Sequence, residues 1–140
     1  MTAEIIYKGQ FRTEMKHLKS GQIVETDAPT DNQGKGERFS PTDLLASALG
    51  SCMLTIMGIK AQSLGIEESL RGATLELKKI MASAPRRVSE IHVIIRYKEE
   101  ISIQNQESLE AAALACPVAK SLHPDLIQKV EFIEVQHQSL

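Results

Sequence analysis

Two cysteines are the residues of this chain with the greatest chemical potential. Cys52 lies within an uncharged stretch, residues 44–59, and Cys116 follows 64 positions later. Each comes directly after a small residue, Ser51 or Ala115. A thiol in such a position is either a reactive nucleophile or an inert part of the core, and the residues alone leave both interpretations open.

Motifs for other kinds of chemistry are missing from the sequence. There is no glycine-rich phosphate loop after a strand and no Cys-x-x-Cys, and the four histidines stand singly at positions 17, 92, 123 and 137. Because a metal site needs ligands at a characteristic spacing, we expect no metal and no other cofactor.

Composition is that of an ordinary soluble protein. The 140 residues are 42% hydrophobic and 24% charged, which predicts one domain over residues 1–140. A net charge of -2 favours neither nucleic acid nor a membrane surface as a partner. The first residues lack a secretory signal, and two cysteines do not make a disulfide framework, so we expect a cytoplasmic location.

The stretch around Cys52 is predicted to form a long central helix. Ser40 is a suitable N-cap, Pro41 suits the first helical position, and Gly65 is a suitable C-cap. The only polar groups besides the thiol between residues 44 and 59 are Ser47, Ser51 and Thr55. The rest of the surface is apolar, so other elements should cover it on all sides, and the interrupted apolar run is predicted to be too short for a bilayer.

The remaining pattern predicts an α+β fold in which antiparallel sheets surround the central helix. Short strands at residues 5–8, 11–18 and 22–26 should form a meander, and a polar loop at residues 27–39 leads into the helix. Alternation predicts a hairpin with a buried face that contains Ile91, Val93, Ile95 and Tyr97. A second helix is expected at residues 106–115, after which Pro117 either interrupts it or starts a new turn, and a last strand at 130–136.

Two motifs together resemble a known family. The runs SPTDLLASALGSC at residues 40–52 and ACPVAKSL at residues 115–122 are similar to the paired signature of the OsmC/Ohr family of thiol-dependent peroxidases. The order of elements is similar as well, so the likeness covers nearly the whole chain. The resemblance implies an OsmC-like fold, an intertwined homodimer with active sites at the subunit interface, and reduction of organic hydroperoxides, with hydrogen peroxide a poorer substrate.

The resemblance also implies a role for each thiol. Cys52 would attack the peroxide oxygen and become a sulfenic acid, and Cys116 would resolve it to a disulfide. An external dithiol would then reduce that disulfide. Because Cys52 lies about three turns into its helix, the helix dipole contributes little, and a cation is needed to favour its thiolate.

In the family this cation is an arginine from the N-terminal strands, held by a glutamate near the start of the cysteine helix. Arg12 is the best match, and Arg38 is the alternative. The position of the usual glutamate is Thr42 here. Its acidic neighbour Asp43 should point away from Cys52 on the helix.

Two substitutes for that glutamate, and two other functions, stay open. Glu37 in the preceding loop is the alternative to Asp43. The replacement at Thr42 favours an OsmC-like protein that binds an apolar or thiol-bearing small molecule, or that senses redox state, with weak or no peroxidase activity. In a third interpretation Cys52 and Cys116 are only core residues.

Overall fold

A three-stranded meander forms most of the first unit of the chain. The structure is a computed structural model that describes residues 1–135, and the chain divides into units Met1–Leu45 and Ala46–Leu140. Strands β1 (Ala3–Gly9), β2 (Arg12–His17) and β3 (Ile23–Asp27) pair in that order, and both pairs are antiparallel. The predicted meander is confirmed.

The two faces of this sheet differ in character because side chains alternate along each strand. The register places Ile5, Met15 and Val24 side by side on one face, with Tyr7 on the same face. Ile5 and Tyr7 are 61% and 65% exposed. The opposite face carries the charged residues Arg12, Glu14, Glu25 and Asp27, together with the exposed Ile6 and Ile23. This chain therefore leaves apolar surface of the first sheet uncovered.

Helix α1 (Pro41–Ser63) begins and ends where the sequence predicts. The Ser40 hydroxyl accepts a hydrogen bond from the Asp43 N–H at 3.0 Å, and the Asp43 carboxylate accepts one from the Ser40 N–H at 2.9 Å. This reciprocal pair is a capping box with aspartate in the acidic position. Gly65 follows the helix with φ of 74°, the left-handed conformation that glycine adopts without strain.

Only part of the α1 surface is covered by the chain itself. Its buried residues recur at helical spacing: Ala46, Leu49, Gly50, Met53, Met57 and Ala61. By contrast, Leu45 and Ile59 are 40% and 60% exposed. The cover predicted for all sides of the helix is therefore incomplete within this chain.

By length and composition α1 could also cross a membrane, and no other helix within residues 1–135 meets that test. The prediction that the apolar run is too short is wrong on this point, because an 18-residue window of the helix is apolar enough, with a mean hydropathy of 1.6, even with its hydroxyl residues. The core helix of a soluble protein has the same composition. The finding is therefore only weak evidence for a membrane span.

The second unit contains a mixed sheet. After the short helix α2 (Glu67–Leu70), strand β4 (Thr74–Ala82) pairs antiparallel with β5 (Arg87–Arg96), which confirms the predicted hairpin. Strand β6 (Ile127–Ile133) pairs with β5 in parallel. It begins three residues before the predicted strand, whose last residue, Gln136, lies outside the described residues. The parallel pair departs from the antiparallel prediction because the chain between β5 and β6 returns through helices, as a crossover requires.

The core of this unit lies on one face of the sheet. Ile91, Val93, Ile95 and Tyr97 are buried, as the alternation predicts. Helix α3 (Ile103–Leu114) starts three residues earlier than predicted because Ser102 caps it, with its hydroxyl accepting a hydrogen bond from the Asn105 N–H at 3.3 Å. Pro117 starts a separate helix, α4 (Pro117–Ser121), which decides between the two predicted roles of that proline.

Candidate active site

Cys116 stands at the junction of α3 and α4. It is the N-cap of α4, and its Sγ accepts a hydrogen bond from the Ala119 N–H at 3.4 Å. Pro117 occupies the first turn, where its missing N–H costs nothing. The Cys116 side chain has 0% exposure and belongs to the hydrophobic core with Leu109 and Ala113. Its position is therefore fixed by both packing and capping.

Cys52 is a neighbour of Cys116 and packs against the same core cluster. It lies on α1 next to the buried Met53, but its own side chain is only partly buried, and both cysteines are free thiols. The structure thus brings together the two cysteines that the sequence singled out. Burial, followed by contact with Cys52, raises the pKa of Cys116, and the Ala119 N–H opposes this only in part. Cys116 is therefore a neutral thiol at neutral pH.

Arg12 is held by carboxylates within the first unit. Its Nε and Nη2 donate hydrogen bonds to Asp27 Oδ1 and Oδ2 at 2.7 and 2.9 Å, the bidentate geometry for which guanidinium and carboxylate are matched. Asp27 is 1% exposed and also accepts a hydrogen bond from the Glu37 N–H at 3.1 Å. The side chain of Glu37 lies 3.5 Å from Arg12 Nη2, and Glu25 lies 3.7 Å from Arg12 Nε.

These contacts stabilise the charged forms of both partners. The hydrogen bond from Arg12 is the largest cause that holds the pKa of Asp27 below its usual range, and the carboxylates raise the pKa of Arg12. Both groups are therefore ionised at neutral pH, and the guanidinium has a defined orientation.

The other candidate residues from the sequence lie beside this network or in the first turn of α1. Arg38 donates a hydrogen bond to the backbone oxygen of Glu37 at 3.1 Å and lies 3.9 Å from Glu25. The Thr42 hydroxyl lies 3.2 Å from the Ser40 hydroxyl, while Asp43 completes the capping box. Of the two acidic candidates, Glu37 contacts Arg12.

Asp27 is the residue that the sequence analysis missed. The pattern ended the third strand at Thr26 and assigned Asp27 to the loop. In the structure β3 ends at Asp27, and the register pairs Arg12 directly with it. The position of the turn in the sequence could have identified it, because a hairpin that turns around Lys19 and Ser20 places positions 12 and 27 opposite each other.

A cleft of about 600 Å³ opens beside Arg12. Its lining residues are Lys8, Gly9, Gln10, Arg12, Glu14, Glu25 and Lys35. Within residues 1–135, no group of three or more histidine, cysteine, aspartate or glutamate side chains is arranged to bind a metal ion. The described groups that could take part in chemistry are the two free thiols and the oriented guanidinium of Arg12.

The fold and the thiol pair together define an α+β protein with a cysteine on its long helix and a second cysteine capping a short one. The model of the family described as OsmC-like protein matches residues 34–130, and the chain belongs to this family. The predicted OsmC/Ohr relationship and fold class are confirmed. No curated protein matches the chain at a significant level.

Solved structures support the same assignment. A candidate osmotic stress induced and detoxification response protein from Psychrobacter arcticus 273-4 is 52% identical, with a TM-score of 0.90 over 94% of this chain and 95% of that one. An organic hydroperoxide resistance protein OsmC from Legionella pneumophila is 15% identical, with a TM-score of 0.73 over 95% and 97% of the two chains. The organic hydroperoxide resistance protein OhrB of Bacillus subtilis is 16% identical, with a TM-score of 0.61 over 94% and 98%. The last two show the fold alone.

Proposed function

We propose that this protein is a two-cysteine peroxidase that reduces organic hydroperoxides and, less efficiently, hydrogen peroxide. The observation that carries this proposal is that the side chains of Cys52 and Cys116 are neighbours, packed at the same hydrophobic core. Two thiols in such contact need little movement to reach the geometry of a disulfide. The hydroperoxide resistance proteins of similar fold from Legionella pneumophila and Bacillus subtilis agree with this function.

In the proposed reaction Cys52 is the nucleophile because it retains exposed surface. Its thiolate attacks the terminal peroxide oxygen, the O–O bond breaks, and the alkoxide takes a proton and leaves as an alcohol. Cys52 is then a sulfenic acid. Cys116 attacks the Cys52 sulfur, and the departing hydroxide leaves as water with the proton of the Cys116 thiol. An external dithiol reduces the resulting disulfide.

We assign to Arg12 the cation that favours the Cys52 thiolate. Support comes from the family resemblance and from the fixed orientation that Asp27 and Glu37 impose on the guanidinium. A preoriented cation stabilises charge without reorganising during the reaction. Arg38, with its more exposed side chain, is the alternative.

A homodimer is part of the proposal. Ile5 and Tyr7 on the first sheet, and Leu45 and Ile59 on α1, are large apolar residues with at least 40% exposure. Exposed apolar surface of this kind is typical of an interface. Sedimentation should give the mass of a dimer at micromolar concentration, and a monomer would contradict this part of the proposal. We also propose a cytoplasmic location, because free thiols such as Cys52 and Cys116 persist in a reducing compartment.

Turnover with an organic hydroperoxide tests the function. The reduced protein should consume cumene hydroperoxide continuously in the presence of dithiothreitol. Cys52→Ser should abolish consumption, whereas Cys116→Ser should allow one fast oxidation and leave a sulfenic acid that dimedone traps. Absence of consumption by the wild-type dimer would overturn the proposal.

One outcome would favour the alternative function. The family position of the helix glutamate is Thr42 in this chain. If peroxide oxidises the thiols once but neither dithiothreitol nor another dithiol restores turnover, the protein would instead be a redox sensor or a small-molecule-binding member of the family.

A further inference from the structure

The two thiols of the pair differ sharply in access. Cys116 has no exposed surface, and Leu109, Ala113 and Ala119 belong to the same buried cluster. Cys52 is only partly buried. Any molecule that approaches the pair from solvent therefore meets the sulfur of Cys52 first.

We propose that the external dithiol attacks the Cys52 sulfur of the oxidised pair and that Cys116 is the leaving group. The inference rests on the proposed function for the formation of the disulfide in the cell. Beyond that function, it identifies Cys52 as the cysteine that forms the mixed disulfide with the reductant. The reductant must therefore have a thiol that can reach a partly buried side chain on α1.

The step balances as an ordinary thiol–disulfide exchange. A thiolate of the reductant forms a new S–S bond to Cys52 while the bond from Cys52 to Cys116 breaks, and Cys116 leaves as a thiolate that takes up a proton. The second thiol of the reductant then attacks the other sulfur of the reductant, the one bonded to Cys52 in the mixed disulfide. Cys52 leaves as a thiolate, and the reductant departs as a disulfide that has given up two electrons.

Solvent access favours attack on Cys52, whereas the poor leaving-group ability of Cys116 disfavours it. The raised pKa of Cys116 makes it a poorer leaving group than an ordinary thiol. However, exchange needs the attacking sulfur to approach along the S–S axis, and attack on Cys116 would require opening the core around Leu109 and Ala113. The Ala119 N–H also donates to Cys116 Sγ, which offsets part of the cost of a buried thiolate. Access therefore decides the direction.

Single-cysteine variants test the difference in access without any peroxide. Cys116→Ser, which retains Cys52, should react with dithionitrobenzoate in the native protein. Cys52→Ser, which retains Cys116, should react at least tenfold more slowly, and both should react at the same rate in guanidinium chloride. Equal native rates would overturn the proposal, and the denatured rates serve as the control for each variant.

The direction of attack is tested on the wild-type disulfide, which diamide forms independently of peroxidase activity. The oxidised protein is exposed briefly to excess glutathione, quenched with acid, alkylated and digested with trypsin, which separates residues 39–60 from residues 99–120. Glutathione should be found on Cys52, with Cys116 alkylated, in at least tenfold excess over the reverse pattern. A majority of glutathione on Cys116, or failure of diamide to form the disulfide, would overturn the proposal. If diamide forms the disulfide and peroxide does not, only the proposed peroxidase function fails.

Discussion

Arg12 and Asp27 face each other across β2 and β3, and both carboxylate oxygens of Asp27 accept hydrogen bonds from the guanidinium. In the family pattern the corresponding acidic partner is a glutamate at the start of the cysteine helix. Here the position of that glutamate is Thr42, and a buried aspartate from the sheet contacts the arginine. The orientation of Arg12 is therefore set by strand register within the first unit.

Replacing Arg12 tests its proposed action on Cys52. In a Cys116→Ser background, Arg12→Ala should slow alkylation of Cys52 by iodoacetamide at pH 7 by roughly tenfold or more, because a nearby cation shifts a thiol towards its reactive thiolate by that order. The measurement is the alkylation rate between pH 5 and 10, and the profile of the variant should move to higher pH.

Two further variants serve as controls for Arg12. Arg12→Lys should restore the rate only in part, because an ammonium group cannot form the bidentate contact with Asp27. Arg38→Ala should leave the profile unchanged. If Arg12→Ala has the wild-type profile and Arg38→Ala does not, the assignment passes to Arg38.

Acid should destabilise the protein partly through Asp27. Its folded pKa is lowered, chiefly by the hydrogen bond from Arg12, so the unfolded chain binds the proton more readily. The contribution to stability is therefore present above the unfolded value of about 3.9 and is lost as pH falls through the lower folded value. Urea unfolding of wild type and Asp27→Asn between pH 2 and 7 should show a shallower acid loss for the variant, which is also less stable at pH 7.

An exposed aspartate provides the matched control. The Asp125 side chain is 88% exposed, so Asp125→Asn should follow the wild-type dependence on pH. If the free energies of unfolding of Asp27→Asn and wild type fall in parallel with pH, the ionised form of Asp27 does not stabilise the fold.

Removing the hydroxyl of Tyr97 should stabilise the protein. Tyr97 is 5% exposed, and its hydroxyl has no hydrogen-bond partner among the described residues. A buried donor without a partner costs about 1–3 kcal/mol, so Tyr97→Phe should raise the free energy of unfolding by about 1 kcal/mol. Tyr7→Phe makes the same chemical change at an exposed position, where the Tyr7 hydroxyl accepts a hydrogen bond from the Phe11 N–H at 3.3 Å, so this variant should lose a little stability rather than gain it. A clear loss of stability in Tyr97→Phe would show that the hydroxyl is satisfied in solution.

The two glycines of α1 near its middle should respond differently to alanine. A Cβ at Gly58 would meet nothing within 4 Å, whereas one at Gly50 would lie 2.7 Å from Leu75 Cδ2. Gly58→Ala should therefore raise the free energy of unfolding by most of the difference in helix propensity between glycine and alanine, about 1 kcal/mol. Gly50→Ala should raise it by less, because Leu75 must move. Thermal unfolding measures both. Destabilisation by Gly58→Ala would indicate that another surface packs on this side of the helix in the assembled protein.

Local features of the chain could be predicted from the sequence because they depend on neighbouring residues. Ser40 and Gly65 mark the ends of α1, since capping uses groups within one helical turn. Alternation along β5 predicts the buried residues Ile91, Val93 and Ile95, because side chains of a strand point to opposite faces. The family resemblance of the two cysteine motifs added the fold around these elements.

Contacts between distant positions were decided by the tertiary structure. The parallel pairing of β6 depends on how α3 and α4 carry the chain back along the sheet, and the choice of Asp27 as the partner of Arg12 depends on strand register. Cys52 and Cys116 are neighbours although they lie 64 positions apart in the sequence, and their different access to solvent depends on the core that packs around Cys116. No local pattern encodes such distances, because they result from the packing of several elements at once.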